Sequence, residues 1–246
     1  MKKCFAGGLL GIALGLFATT ASATLIRFDA ENNANPNICS NNADGSGAMA
    51  ACGNWAYINQ AYGDSSAVNV TYKDVQGMAA NNGALTTLRW WFDGYNELKN
   101  VAFAYQNGDG DSWARIEIDP LQGQGVQLNS FDIGAWPFTQ RSSRYVRVLD
   151  LVTGSVLYEV DDVLIGVNDH SNHFSPNVFS ANGVAIEWRA SAYNNGIDNI
   201  CFNGACVDQF GQAPNTTGVP EPGTLALLGL GVIAAAGARR RQVRRG

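Results

Sequence analysis

Between residues 24 and 207 apolar side chains alternate with polar ones in short stretches, and Gly, Asn, Asp and Ser interrupt them roughly every ten to fifteen residues. Helical periodicity is nearly absent over the same span, which predicts an all-β domain. Strands are expected at 25–29, 67–72, 85–92, 101–106, 113–118, 126–133, 145–151, 155–160, 184–190 and 196–202. Asn107, Gly108, Asp109, Gly110 and Asp111 suit positive backbone angles and predict a hairpin joining 101–106 to 113–118. About ten strands without an internal repeat favour an antiparallel β-sandwich over a propeller. Trp90 and Trp91 are adjacent on one strand, so they face opposite sides of its sheet.

The ends of the chain follow other patterns. Lys2 and Lys3 precede an apolar stretch over 5–17 and an Ala-x-Ala site at Ala21, Ser22 and Ala23, the layout of a signal helix cleaved before Thr24. Residues 208–218 are rich in Gln, Pro, Asn, Thr and Gly and read as a polar stalk. The uncharged run 223–238 would rise roughly 24 Å as a transmembrane helix, just short of the roughly 30 Å hydrocarbon core. Arg239, Arg240, Arg241, Arg244 and Arg245 follow it and should stay cytoplasmic, placing everything before Pro220 outside.

Charge sharpens this division. The 16 basic and 21 acidic residues give the whole chain a net charge of −5, but seven basic residues lie in the addressing segments. The domain and stalk together carry about −11 and should not seek nucleic acid or anionic lipid. Four cysteines fall in this exported part as two local pairs, Cys39 with Cys52 and Cys201 with Cys206. An oxidising compartment makes two short disulfides the natural reading, with metal ligation by all four as the competitor. Residues 30–53, rich in Asn, Gly, Ala and Ser, read as a surface loop tied back by the first pair.

The inventory for catalysis is thin. His170 and His173 are the only histidines, and their spacing in an Asp-His-Ser-Asn context reads as a solvated loop. Glu117, Glu159 and Glu187 alternate with apolar neighbours and are expected to point to solvent. Asp198 shares parity with Ile200 and Phe202, which predicts an inward carboxylate at the sheet's edge. Such a group needs calcium, an Arg partner or backbone amides around it. Asn107, Asp109 and Asp111 alternate like the opening of an EF-hand loop, but Ser112 and Ile118 replace its Gly and Glu, so a turn is expected. Among six Trp residues, Trp91, Trp113 and Trp136 are candidates for stacking on sugar rings.

Val219, Pro220, Glu221 and Pro222, followed by the apolar run and the arginines, resemble the PEP-CTERM sorting signal of exported Gram-negative bacterial proteins. The resemblance implies an exosortase partner that cleaves near the triplet. It also implies inner-membrane residence in transit, then the outer surface or an extracellular matrix. The segments 59–72, 126–136 and 196–202 resemble a jelly-roll domain of the galactose-binding or carbohydrate-binding kind, which implies a structural calcium role for Asp198. Non-catalytic binding of extracellular polysaccharide is the expected activity. A glycoside-cleaving enzyme and a structural matrix or adhesion protein are the alternatives.

Overall fold

The computed structural model describes residues 23–28, 36–106, 110–121, 123–204 and 206. The chain divides into two compact units, 1–206 and 207–246, and all described residues belong to the first. The signal helix, Ala21, the stalk, the transmembrane run, Val219 to Pro222 and Arg239 to Arg241 lie outside the described residues. Among the described residues no helix is long and apolar enough to cross a membrane.

Among the described residues fourteen strands form two sheets, and every pairing is antiparallel. They are β1 (Thr24–Ile26), β2 (Cys39–Ser40), β3 (Tyr57–Ile58), β4 (Val68–Asp74), β5 (Arg89–Tyr95), β6 (Leu98–Phe103) and β7 (Trp113–Pro120). There follow β8 (Val126–Ala135), β9 (Arg141–Asp150), β10 (Val156–Ile165), β11 (Asn172–Phe174), β12 (Val178–Ser180), β13 (Val184–Arg189) and β14 (Asn195–Phe202). One sheet runs β11-β8-β14-β6-β5-β3-β2, with β1 also on β14 and β12 also on β8; the other runs β10-β9-β13-β7-β4. They sandwich one core, to which the first sheet contributes Trp90, Phe131, Ile133 and Ile200 and the second Tyr72, Ile116, Val148 and Trp188. The two largest buried side chains keep their polar ends satisfied: Trp90 Nε1 donates to Phe28 O at 2.9 Å and Trp188 Nε1 to Asn195 O at 2.7 Å.

Three sequence expectations change. The segments flanking residues 107–111 do not pair: β6 lies in one sheet, against β5 and β14, and β7 in the other, against β4 and β13. The expected hairpin is a crossover between sheets, because partners distant in sequence outcompete the local turn. Residues 36–53 are not a plain surface loop, since Ile38, Cys39 and Cys52 enter the core and β2 extends the first sheet. Among the described residues one short α-helix, α1 (Val75–Ala80), also appears, capped by Asp74, whose carboxylate accepts from Gly77 N at 2.8 Å. Its 6 residues are too few to leave a periodic trace in the sequence.

Both disulfides form, Cys39–Cys52 and Cys201–Cys206. Asp150 ends β9 and ties the following turn to the β12–β13 turn. Its carboxylate accepts from Thr153 N at 2.7 Å, Ser180 Oγ at 2.7 Å, Asn182 Nδ2 at 3.1 Å and Thr153 Oγ1 at 2.9 Å. These donors, led by the Thr153 amide, hold its carboxyl well below the usual carboxylate range. A depressed folded pKa contributes stability that is fully present above the unfolded value, about 3.9, and is lost as pH falls toward the folded value. Asp150→Asn should therefore flatten the loss of melting temperature between about pH 4 and pH 2. Parallel pH profiles for variant and wild type would contradict this.

Candidate functional site

The outer face of the first sheet carries a second apolar cluster. Alternation along β5 and β6 sends Trp90 and Ala102 into the sandwich core and Trp91 and Val101 away from it, and Tyr95, Leu98 and Trp136 complete the cluster they form. Gly196 of β14 lets Val101 approach, because a Cβ there would collide with that side chain. Gly94, at φ 91°, does the same for Trp136, whose Cδ1 lies 2.7 Å from where a Cβ would stand.

A loop completes the surface. Trp55 follows Cys52 closely and stands edge-on to Trp91 with ring centroids 4.6 Å apart, to Tyr105 at 5.4 Å and to Phe103 at 5.6 Å. Trp91 meets Trp136 at 6.3 Å and an interplanar angle of 77°. Tyr193 approaches Phe103 at 5.9 Å and Trp55 at 6.0 Å. Trp55, Trp91, Tyr95, Phe103, Trp136, Tyr193 and Asn194 line a small open cleft of about 40 Å³. Trp55 is 38% exposed, so the aromatic wall faces solvent although its floor is buried.

The loop is held from several sides. Trp55 N donates to Trp90 O at 3.1 Å, Phe92 N donates to Asn54 Oδ1 at 2.9 Å, and Arg89 Nη1 donates to Trp55 O at 2.6 Å. Arg89 also sits over the rings of Tyr57 and Tyr105, 4.0 and 4.5 Å from their centroids. Tyr105 N and Gln106 N in turn donate to Asp74, each at 3.0 Å. Burial raises the Asp74 carboxyl above its ordinary value, outweighing its three backbone amide hydrogen bonds. At the other wall Tyr95 OH donates to Tyr193 O at 3.0 Å and Trp136 N to Asn194 O at 2.8 Å. Asn194 is 4% exposed, and its Oδ1 is buried without a hydrogen-bond partner.

Of the three candidate Trp residues, the structure brings Trp91 and Trp136 together here and leaves Trp113 elsewhere. Trp113 starts β7 in the other sheet, beneath the guanidinium of Arg189 at 4.8 Å. Trp55, Tyr95, Phe103, Tyr193 and Asn194 are the cleft residues that sequence reasoning missed; Tyr95 and Phe103 lie on β5 and β6, the other three in loops. Their loops carry no periodicity; the one signal was the position of Trp55 three residues beyond a cysteine.

The carboxylates lie outside this cleft. Glu187 keeps its expected parity but not its expected solvation: it is 0% exposed, held by Arg115 Nη1 at 2.7 Å and by Arg147 Nη2 and Nε at 2.7 and 2.8 Å. Glu117 pairs with Lys73 and Arg115, and Glu159 lies 3.8 Å from Arg147. Asp111 pairs with Arg189 at 2.6 Å, while Asn107 and Asp109 lie outside the described residues. His173 binds Asp132 at 2.7 Å on β11 rather than sitting in a loop, and His170 is 3.9 Å from Glu97, so the two histidines serve different carboxylates.

Asp198 is 1% exposed, but on an interior strand rather than at an edge. A register shift between Asp198 and Cys201, with Asn199 at φ 52°, breaks the alternation, so Ile197 joins Ile200 and Phe202 in the core. Its Oδ1 accepts from Phe28 N at 2.8 Å. Among the described residues no three or more His, Cys, Asp or Glu side chains group as a metal site.

The fold and cleft define an all-β sandwich with an aromatic, uncharged surface site. Residues 218–241 match the PEP-CTERM protein-sorting motif, which implies export across the membrane to the cell surface and processing by an exosortase. No curated protein matches the chain.

Proposed function

We propose that the exported domain is a non-catalytic glycan-binding module of the jelly-roll, carbohydrate-binding kind that attaches to extracellular polysaccharide after sorting from a Gram-negative inner membrane. The observation that carries this reading is the cleft itself, lined by Trp55, Trp91, Trp136 and Tyr193 together with Asn194, whose amide oxygen is buried without a hydrogen-bond partner. Flat rings stack on the apolar C–H faces of sugars, and a polar atom beside them fixes orientation. A buried acceptor without a partner is costly in a protein that binds nothing there, about 1–3 kcal/mol, and a sugar hydroxyl would offset that. Delivery to the cell surface puts the cleft where polysaccharide is found.

Affinity electrophoresis of the full chain in gels containing neutral polysaccharides tests the reading. Wild type should be retarded by at least one of them, and Trp91→Ala should lose about 2 kcal/mol of binding, roughly thirtyfold, as for a central aromatic anchor. Unretarded migration of wild type through every polysaccharide would sink it.

A further inference from the structure

We infer that the cleft takes a single neutral pyranose unit, one of whose hydroxyls donates to Asn194 Oδ1, and that this contact sets which sugar is accepted. The inference rests on the glycan-binding reading above and narrows it to a ligand class. Size argues for no more than one ring: at about 40 Å³ the cleft lies far below the roughly 300–1,000 Å³ typical of sites for larger molecules, so a sugar would stack on its aromatic walls rather than enter a deep pocket. Charge argues for a neutral one. The seven lining residues are six aromatics and one amide, with no Arg, Lys or His to receive a carboxylate or sulfate stripped of water. The exported part, at about −11, also repels a polyanion at long range.

The amide argues for a hydroxyl. Its backbone is fixed on both sides, Asn194 N donating to Ser191 O at 2.9 Å and Asn194 O accepting from Trp136 N at 2.8 Å, so a rigid turn holds this lining residue, and Oδ1 lies just beneath the cleft surface. A preorganised acceptor loses little on binding. Aromatic walls at near right angles also suit a quaternary ammonium group, but such a cation has no hydrogen to give Oδ1, and no carboxylate lines the cleft. A hydroxyl satisfies the oxygen while the ring faces keep the stack.

Tryptophan fluorescence of the full chain, in a polyoxyethylene detergent that presents no sugar, would be titrated with methyl glucoside, galactoside and mannoside, with methyl glucuronide and galacturonide, and with choline. At least one neutral glycoside should saturate the signal, and its uronide should bind at least about tenfold more weakly. Among monodeoxy versions of that glycoside one should lose about tenfold, and in Asn194→Ala that same deletion should make no further difference. The deoxy series on wild type keeps the test alive if the variant folds poorly. A uronide that binds as tightly as its neutral parent, a deoxy series without a sensitive position, or saturation by choline alone would overturn the inference. Retention on polysaccharide with no response to any monosaccharide would overturn it while leaving glycan binding intact. No response to any sugar in either format would remove both.

Discussion

Glu187→Ala should lower the domain's unfolding free energy by about 3 kcal/mol and its melting temperature by roughly 6–12 °C. The reason is a row of charges crossing all five strands of the second sheet on its outer face. Register places Glu159 opposite Arg147, Arg147 opposite Glu187, Glu187 opposite Arg115 and Arg115 opposite Lys73, with Glu117 bridging the last two. Glu187 is the only member fully withdrawn from water, and it is withdrawn by the arginines that neutralise it. Burial would lower the pKa of Arg147, but hydrogen bonding to Glu187 and its charge outweigh that and raise it. Removing the carboxylate therefore leaves two guanidiniums crowded together, with side chains only 23% and 25% exposed. That residual exposure sets the estimate at the lower end of the range for breaking a buried pair. Because water is excluded, the effect should persist at high salt, whereas any contribution from the exposed Arg144–Asp111 pair at 3.8 Å should fade. Differential scanning calorimetry at low and high ionic strength checks both statements; a shift below about 2 °C would show that the arginines recover their hydration.

Glu187 also marks where the sequence stops being legible. Its parity with polar positions, opposite Val184, Ile186 and Trp188, was readable from alternation alone, and the structure keeps those three in the core. Its burial was not readable, because the covering arginines come from β7 and β9, far away in sequence. The same distinction runs through the fold. Long strands with clean alternation, such as β7 and β13, emerge near their expected bounds. The two-residue strands β2 and β3, and the three-residue β11 and β12, exist only because a neighbouring strand recruits them. Asp198 is buried as its parity predicted, but the register shift that brings Ile197 into the core as well leaves no signature in hydrophobicity.

The site divides likewise. Adjacent Trp90 and Trp91 forced one ring outward, and that outward ring anchors the cleft. Trp113 satisfied the same compositional argument, yet it lies in the other sheet, since composition does not report which sheet a strand joins. Trp55 and Asn194 depend on loop conformations. Trp55 adopts φ 73°, an uncommon angle for a bulky side chain, which the surroundings must enforce. No local pattern announces such a residue.

If the cleft binds glycan as proposed, that enforced conformation should make the first disulfide a determinant of binding as well as stability. Cys39 and Cys52 are 13 residues apart, and closing a loop of that length stabilises the folded chain by about 3 kcal/mol in the chain-entropy view. The Cys201–Cys206 loop, with a separation of 5, contributes about 2 kcal/mol on the same relation. Replacing either pair with serine should therefore lower the melting temperature by comparable amounts. Binding should separate them. Cys52 begins the segment that presents Trp55, and without the crosslink the hydrogen bonds from Arg89 and to Trp90 must alone hold a strained backbone against solvent. Trp55 should then leave the cleft in a large fraction of molecules, exposing Trp91 and cutting glycan affinity at least about tenfold at temperatures where the sandwich remains folded. Cys201→Ser/Cys206→Ser should keep wild-type affinity, because that pair staples the end of β14 near Thr24 and contributes nothing to the cleft lining. Comparing affinity electrophoresis and tryptophan emission for the two double variants decides the matter: equal affinity in Cys39→Ser/Cys52→Ser and wild type would show that hydrogen bonds suffice to hold Trp55, and the disulfide's role would be stability alone.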